Sequence, residues 1–168
     1  MRKNMPVTGR QIELPQNANI LSTTNTQSHI TYVNPDFIEI SGFEEHELIK
    51  QPHNIVRHPD MPPAAFEHMW ATLKKGRSWM GMVKNRCKNG DHYWVSAYVT
   101  PIQKNGTVVE YQSVRTKPEA GHERAAELLY EKLRNNSTHR LSRFRPGIQH
   151  KVLLAIVAAT LAAFSIAS

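Results

Sequence analysis

Cysteine is almost absent from this sequence, which narrows the possible chemistry. Cys87 is the single cysteine in 168 residues, so the chain has no internal disulfide framework and no thiol cluster for zinc or an iron–sulfur centre. Neither a G-x-G-x-x-G motif nor a P-loop occurs, and no acid, base and nucleophile set emerges. We therefore predict that the protein is not an enzyme. The first twenty residues lack an apolar run, so we expect no secretory signal peptide and a cytoplasmic N-terminus.

Positive charge is abundant but unevenly placed. Lysine and arginine number 21 against 14 acidic residues, and a basic cluster lies in one late segment. The cluster consists of Lys132, Arg134, Arg140, Arg143, Arg145 and Lys151. Such a cluster directly before an apolar segment is typical of a protein at an anionic membrane surface. We therefore expect the membrane as a partner, and no nucleic acid.

The segment 152–168 carries no charge and is apolar or small throughout. As a helix it would span about 25 Å, slightly less than a hydrocarbon core of roughly 30 Å. We predict a transmembrane helix, complete or cut before its end, with a buried soluble helix as the alternative. The basic residues before it place the rest of the chain on the cytoplasmic side.

Composition divides the remaining chain into three parts. Residues 1–18 combine proline, glycine and polar side chains, which predicts a flexible N-terminal cap without a site. Residues 19–116 alternate short strands and helices and form the predicted globular domain. Residues 117–151 are predicted to be a helical and basic linker.

Helix signals occur at three places. Asn34 can cap a helix that Pro35 opens and Gly42 ends. A second helix is opened by Pro62 and Pro63 and ended by Gly76, and it has an apolar stripe that we interpret as core, namely Phe66, Met69, Trp70 and Leu73. A third, over residues 117–135, has an apolar face made of Ala125, Leu128, Leu129 and Leu133.

Two Asn-Gly pairs, at residues 89–90 and 105–106, are strong hairpin signals. They predict three antiparallel strands after an earlier strand near residues 30–33. On the first of the three, alternation places Trp79 and Asn85 on the inner face. The opposite face is predicted to point to solvent and holds Met80, Met82, Lys84 and Arg86. On the other two strands, alternation does not decide which face is inside.

A polar, proline-rich run at residues 52–63 is the strongest candidate for chemistry. Arg57 can hold a phosphate or carboxylate in a planar fork. His53 and His58 can form hydrogen bonds or ligate a metal, and Asp60 can orient the arginine. The alternative is a surface ion pair between Arg57 and Asp60, with the histidines capping backbone groups.

Three runs of this sequence resemble the PAS domain of aerotaxis receptors, at residues 34–37, 51–62 and 88–95. The resemblance is strong over residues 19–116 and continues through the basic linker and the apolar segment. It implies an α+β PAS fold, with a five-stranded antiparallel sheet and short helices on one face that enclose a pocket. A linker helix and a C-terminal transmembrane helix would follow.

The resemblance also implies FAD as a cofactor without a covalent link. The implied site residues are Arg57, His58, Asp60, Trp79 and Asn85, with His53 and Gln112 as neighbours. Aromatic faces such as Trp79 suit the rings, a cation such as Arg57 suits the pyrophosphate, and an amide such as Asn85 suits the polar ring edge. Gln112 matches a last-strand glutamine of photosensory relatives, with packing or edge solvation as the alternative. A covalent photocycle is not expected, because residues 54–60 contain no cysteine.

The implied role is a redox or oxygen sensor of the energy-taxis type. Its partner would be a chemoreceptor signalling module or a chemotaxis kinase complex, in a longer chain or in trans. The resemblance implies a homodimer at the bacterial inner membrane, with the PAS domain on the cytoplasmic side. We expect either a fragment of a longer receptor or a short relative that acts through a partner.

Two other functions stay open. One is a haem-binding PAS gas sensor with His53 or His58 as axial ligand. The other is a cofactor-free PAS module that dimerises or docks a partner through its sheet, with its pocket residues satisfied internally. Met80 and Met82 can form part of a docking patch or be scattered exposed apolar residues.

Overall fold

A five-stranded antiparallel sheet forms the centre of residues 3–136, the part of the chain that this computed structural model describes. The strands are Asn19–Asn25 (β1), Ile30–Val33 (β2), Trp79–Arg86 (β3), His92–Lys104 (β4) and Thr107–Thr116 (β5). Their spatial order is β2-β1-β5-β4-β3, so the first hairpin joins the last three strands through the β1–β5 pair. The predicted antiparallel sheet is confirmed.

Helical elements lie between β2 and β3 and after β5. In the described residues they are Pro35–Ser41 (α1), Glu45–Leu48 (α2), the 3₁₀ turn His53–Val56, Pro63–Leu73 (α3) and His122–Asn136 (α4). The predicted α+β arrangement of a sheet with short helices is therefore confirmed.

Local sequence signals set several of these boundaries. Asn34 caps α1, because its side-chain oxygen accepts from Phe37 N at 3.2 Å. Gly42 ends the helix with a φ of 70°, a left-handed conformation that glycine adopts without steric cost. Asn105 and Gly106, with φ values of 52° and 77°, form the turn between β4 and β5.

Part of the outer side of the sheet, which faces away from α3, is covered as well. Lys84 and Arg86 were predicted to face solvent, yet they are only 7% and 6% exposed. Helix α4 lies on this side, where Tyr130 stacks on Trp94 with ring centroids 6.1 Å apart and donates to Met82 O at 2.6 Å. The solvent prediction was wrong for these two residues, because the segments that cover them are remote in sequence, whereas Met80 is 65% exposed as predicted.

Helix α4 begins at His122, later than predicted, and packs through a different face. Ala126 and Tyr130 are buried, whereas Leu128 and Leu129 are each 53% exposed. The predicted face was wrong for Leu128 and Leu129 but correct in part for Leu133, which packs against the core; the strand surface beneath Tyr130 and Glu127 is aromatic and charged. Tyrosine and glutamate side chains suit that surface better than leucine.

Residues 3–18 are a packed segment and not the loose cap that composition predicted. Thr8 N donates to Gly90 O at 3.0 Å, and Leu14 is only 4% exposed. A Cβ at position 90 would lie 2.8 Å from Pro6 O, so glycine is needed for this close approach. Composition misled because hydrogen bonds to a distant hairpin satisfy the backbone of this segment.

The remaining segments lie beyond the described residues. Both the basic half of the predicted linker and the predicted transmembrane helix at 152–168 fall in this part. Within residues 3–136, no helix has the length and apolar character needed to cross a membrane.

Candidate functional site

A cavity of about 350 Å³ lies between the inner face of the sheet and the helical elements. Side chains of β1, β3, β4 and β5 line one side, and the 3₁₀ turn, the loop after it and α3 line the other. Its volume falls near the lower end of the range for small-molecule sites.

Helix α3 supplies an apolar and aromatic wall. Phe66, Met69 and Trp70 line the cavity and are only partly buried, whereas Leu73 is fully buried. Trp70 meets Tyr111 of β5 edge to face, with ring centroids 5.3 Å apart. The interpretation of this stripe as core is therefore correct for Leu73 and incomplete for the other three.

Trp79 lies at the cavity, where it was predicted. Its indole Nε1 donates to His68 Nδ1 of α3 at 3.0 Å. Its ring crosses Gly81, where there is no room for a Cβ. The indole is thus held as a wall by the helix on one side and by the strand on the other.

Arg115 is a buried cation in the cavity, 4% exposed. Its Nη2 donates to His53 Nε2 at 2.7 Å and to Ser22 Oγ at 3.1 Å. No carboxylate of the described residues pairs with it. Burial lowers the pKa of Arg115 to about 10, which still leaves it charged at neutral pH.

His53 lines the cavity as a hydrogen-bond acceptor. Because its Nε2 accepts from Arg115, the ring is neutral. Burial and the charge of Arg115 lower the pKa of His53 to about 3. The contact also occupies the nitrogen that a haem iron would need, and His58 is not among the lining residues. The geometry therefore does not favour haem.

Arg57 enters the cavity as predicted. Its Nη2 donates to Met61 O at 2.8 Å, and its guanidinium lies 4.0 Å from the ring centroid of Phe66. Its Nε is buried without a hydrogen-bond partner, and burial lowers the pKa of Arg57 to about 10. The alternative ion pair with Asp60 is not formed; the carboxylate pairs with a lysine instead. An arginine with an unused buried donor suits a phosphate or carboxylate.

Two polar groups on the sheet also lack partners. Asn85 Nδ2 and Ser113 Oγ are buried, belong to residues that line the cavity, and have no hydrogen-bond partner of ordinary geometry within the described part of the chain, although the Asn85 side chain interacts with the hydroxyl of Tyr93. An unsatisfied buried group costs about 1–3 kcal/mol, and native proteins retain few of them. Together with Arg57 Nε, these groups indicate a ligand that supplies their partners.

The polar run does not act as one site, because His58 and Asp60 lie on the outer side of β3. The loop after the 3₁₀ turn crosses the edge of this strand, where His58 N donates to Lys84 O at 3.3 Å. Lys84 Nζ lies 3.1 Å from both Asp60 Oδ2 and Glu127 Oε2, and Arg134 donates to Asp60 O at 2.6 Å. We call these four residues the Lys84 cluster: Lys84, Asp60, Glu127 and Arg134. Of the polar run's predicted site residues, only Arg57 and His53 reach the cavity.

Gln112 also lies away from the cavity. Its neighbours Tyr111 and Ser113 both line the cavity, so the alternation of β5 directs Gln112 to the outer face. The same alternation places Arg115 on the inner face, at the cavity. The sequence analysis did not predict Arg115 as a site residue. The sequence held no signal for this choice, because each alternate set of β5 combines apolar with polar or charged residues.

A family model described as the PAS fold matches residues 30–115, which include four of the five strands. The chain belongs to the PAS family. The cavity of this PAS domain has aromatic walls, one buried and one half-buried guanidinium, and no carboxylate in its lining. Such a site suits a flat, aromatic and anionic ligand.

Similar proteins support the predicted resemblance. The PAS chain is 48% identical over 132 residues, 79% of its length, to the aerotaxis receptor of Escherichia coli (strain K12). It is 26% identical over 119 residues to the nitrogen fixation regulatory protein of Klebsiella pneumoniae. These matches cover 26% and 23% of the two relatives, so the chain spans about a quarter of their length. The resemblance to the PAS domain of aerotaxis receptors is confirmed.

Solved structures agree on the fold. A light-oxygen-voltage domain studied with a flavin analogue has a TM-score of 0.57 at 21% identity, over 68% of this chain and 86% of that one. The dark structure of the blue-light photoreceptor Aureochrome1 LOV also has a TM-score of 0.57, at 18% identity, over 76% of this chain and 99% of that one. At these identities the likeness shows the PAS fold alone.

Proposed function

We propose that this PAS domain binds FAD without a covalent bond and senses redox or oxygen conditions. The observation that carries the proposal is an aromatic cavity in which Asn85 Nδ2, Ser113 Oγ and Arg57 Nε are buried without partners. A flat ring with a polar edge and a phosphate tail has the surfaces and acceptors that these groups lack. The neighbour solved with a flavin analogue and the relative named an aerotaxis receptor support this choice.

Different parts of the cavity suit different parts of the ligand. Trp70 and Trp79 offer aromatic faces to the rings, Asn85 offers an amide to the polar ring edge, and Arg57 offers a guanidinium to phosphate. Arg115 adds a buried positive charge, which favours whichever state of a bound group is the more negative. A bound flavin supplies reversible electron transfer.

We further propose that the domain is the sensory part of an energy-taxis receptor and not an enzyme. The name of the Escherichia coli relative supports this role. The proposed partner is a chemoreceptor signalling module or a chemotaxis kinase complex, in a longer chain or in trans. The proposed assembly is a homodimer at the bacterial inner membrane, with the PAS domain on the cytoplasmic side. Nucleic acid is not a proposed partner.

The two alternatives have less support. A cofactor-free docking module was expected to satisfy its pocket residues internally, which disagrees with the unpartnered donors. A haem sensor needs a free imidazole, yet His53 Nε2 accepts from Arg115. On the outer face, Met80 is 65% exposed, whereas Met82 is only partly exposed.

An absorption spectrum of the full chain in mild detergent, before and after dithionite, tests the proposal. Arg57→Ala is compared with Arg77→Ala, the same change at an exposed position. We expect flavin bands that bleach on reduction in the wild type and in Arg77→Ala, and are largely lost in Arg57→Ala. Chromatography of the heat-released chromophore then distinguishes FAD from FMN. A Soret band would indicate haem, and a folded, colourless wild type would leave the docking module.

A further inference from the structure

Asn4 is a buried side chain in the N-terminal segment, for which composition predicted no site. Only 6% of the residue is exposed. Its amide nitrogen donates to the carbonyl oxygen of Asn54 at 2.7 Å and to that of Arg57 at 2.9 Å. Both hydrogens of the amide group are therefore used. One side chain joins the 3₁₀ turn to the residue that follows it.

The backbone of Arg57 is held from two directions. Its carbonyl accepts from Asn4, and the residue also forms an isolated antiparallel bridge with Asn85 of β3. The next backbone N–H, of His58, donates to Lys84 O. Because the backbone sets the direction of the Cα–Cβ bond, these contacts determine how the guanidinium enters the cavity.

We propose that Asn4 is a positioning residue of the ligand site, which acts through Arg57 on the phosphate part of the ligand. The inference rests on the proposed flavin function. A phosphate-bearing flavin such as FAD depends on Asn4, whereas riboflavin, which has no phosphate, does not. Replacement by alanine removes the side-chain donor from the Arg57 carbonyl and leaves the Asn54 carbonyl with Arg57 N alone, and replacement by aspartate adds a charge that repels both carbonyls.

Other contacts dock the same segment and provide a control. Thr8 Oγ1 donates to Asp91 Oδ1 at 2.6 Å, and Arg86 donates to Pro6 O at 2.7 Å. Thr8→Val removes one of these contacts without touching the 3₁₀ turn. If general loosening of the segment were sufficient, Thr8→Val would have the same effect as the Asn4 variants.

The test measures dissociation constants of FAD and riboflavin for the flavin-stripped full chain in detergent. In Asn4→Ala we expect FAD to bind about tenfold more weakly, and in Asn4→Asp more weakly still, with riboflavin within about twofold of the wild type. Thr8→Val should leave both ligands within about twofold. Asn4→Ala combined with Arg57→Ala should bind FAD no more weakly than Arg57→Ala alone.

Equal losses of FAD and riboflavin in Asn4→Ala, or additive losses in the double variant, would overturn the inference and leave a general structural role. Hydrogen exchange of the Arg57 and His58 amides in the ligand-free chain gives an independent readout. We expect exchange about tenfold faster in Asn4→Ala than in the wild type or Thr8→Val. A wild type that binds no flavin refutes the proposed function, and unchanged exchange in Asn4→Ala then also refutes the positioning role.

Discussion

Cationic side chains on the two sides of strand β3 differ in whether carboxylates pair with them. On the cavity side, Arg115 is buried and Arg57 is half-buried with a fully buried Nε, and neither pairs with a carboxylate of the described residues. On the outer side, Lys84 is only 7% exposed, yet its ammonium lies 3.1 Å from the carboxylates of both Asp60 and Glu127. The two sides differ in whether the protein itself provides the opposite charge.

This difference separates a site from a structural contact. A buried charge without a partner is destabilising, because it loses its hydration and gains little in return. The Lys84 cluster avoids that cost and also ties α4 to the loop that crosses the β3 edge. The cavity leaves the cost in place until an anionic ligand binds. The unpaired side is therefore the one that we assign to ligand binding.

Arg115→Met provides the strongest test of this comparison. We expect FAD affinity to fall about 50-fold or more, over 2 kcal/mol, because the cavity loses a charged donor. The stability of the ligand-free chain should stay unchanged or rise, since an apolar side chain of similar length replaces an unpaired charge. Ser22 Oγ and His53 Nε2 are 3.1 Å apart and can bond to each other instead. Flavin titration and urea unfolding of the ligand-free chain measure both effects.

Arg115→Lys is the matched control for that variant, because it keeps the charge. A large loss of ligand-free stability in Arg115→Met would contradict the comparison. It would mean that Arg115 is structural, like Lys84.

On the outer side, removal of the charge pairing should lower the stability of the chain. Asp60→Asn combined with Glu127→Gln leaves Lys84 buried without a counter-charge, and we expect the free energy of unfolding to fall by about 2 kcal/mol. Lys84→Met should cost less than about 1 kcal/mol, because the carboxylate side chains are 44% and 39% exposed and return to water. Urea unfolding near neutral pH compares the variants. A larger loss in Lys84→Met would show that the lysine stem, and not its charge pairing, carries the contact.

Because of His53, the stability of the folded chain should depend on pH. The pKa of His53 is about 3 in the folded chain against an ordinary 6.5. Between these pH values the imidazole is protonated in the unfolded chain and neutral in the folded chain. The resulting stability is complete above pH 6.5 and is lost as the pH falls towards 3, at about 2 kcal/mol between pH 7 and pH 5. His53→Gln keeps an acceptor for Arg115 but does not titrate. Urea unfolding at several pH values should give a shallower pH dependence for this variant, and parallel curves would contradict the assignment.

Gln112→Ala should have the smallest effect. Because Gln112 lies on the outer face, we expect FAD affinity to change by less than about 0.5 kcal/mol. A titration beside Asn85→Ala, which should weaken binding clearly, makes the measurement interpretable. A loss of affinity as large as that of Asn85→Ala would reinstate Gln112 as a site residue.

Much of the fold could be predicted because its signals are local. The Asn34 cap, the turn at Asn105 and Gly106, and the alternation along β3 each depend on residues close together in the chain. The burial of Lys84 depends on α4, which lies about forty residues later. The hydrophobic pattern within β3 therefore carries no information about whether a later helix covers Lys84.

The candidate site shows the same limit. Arg57 and His58 are adjacent in sequence, and the resemblance placed both at the cofactor. In the structure the loop crosses the β3 edge, so one side chain enters the cavity and the other packs against His92 on the outer side, with ring centroids 5.4 Å apart. The path of a loop across an edge is a tertiary property, and residue types alone could not reveal it.

Strand β3 lies at an edge of the sheet, yet several of its outward backbone groups, at Met82 and Lys84, already have partners. Lys84 N lies 3.2 Å from Met61 Sδ, and Lys84 O accepts from His58 N at 3.3 Å. Met82 O accepts from the hydroxyl of Tyr130 at 2.6 Å. These contacts occupy the positions at which another strand would add.

The opposite edge, strand β2, is covered at Ile30 in the same manner. Ile30 N donates to Gln51 O at 2.9 Å, and Ile30 O accepts from Lys50 N at 2.8 Å. Unpaired edge strands are templates for aggregation, because their free N–H and C=O groups recruit a further chain. At these positions, a second copy of this chain finds no free N–H or C=O group with which to pair. The sheet is thereby protected at Ile30, Met82 and Lys84 against growth from one molecule into the next.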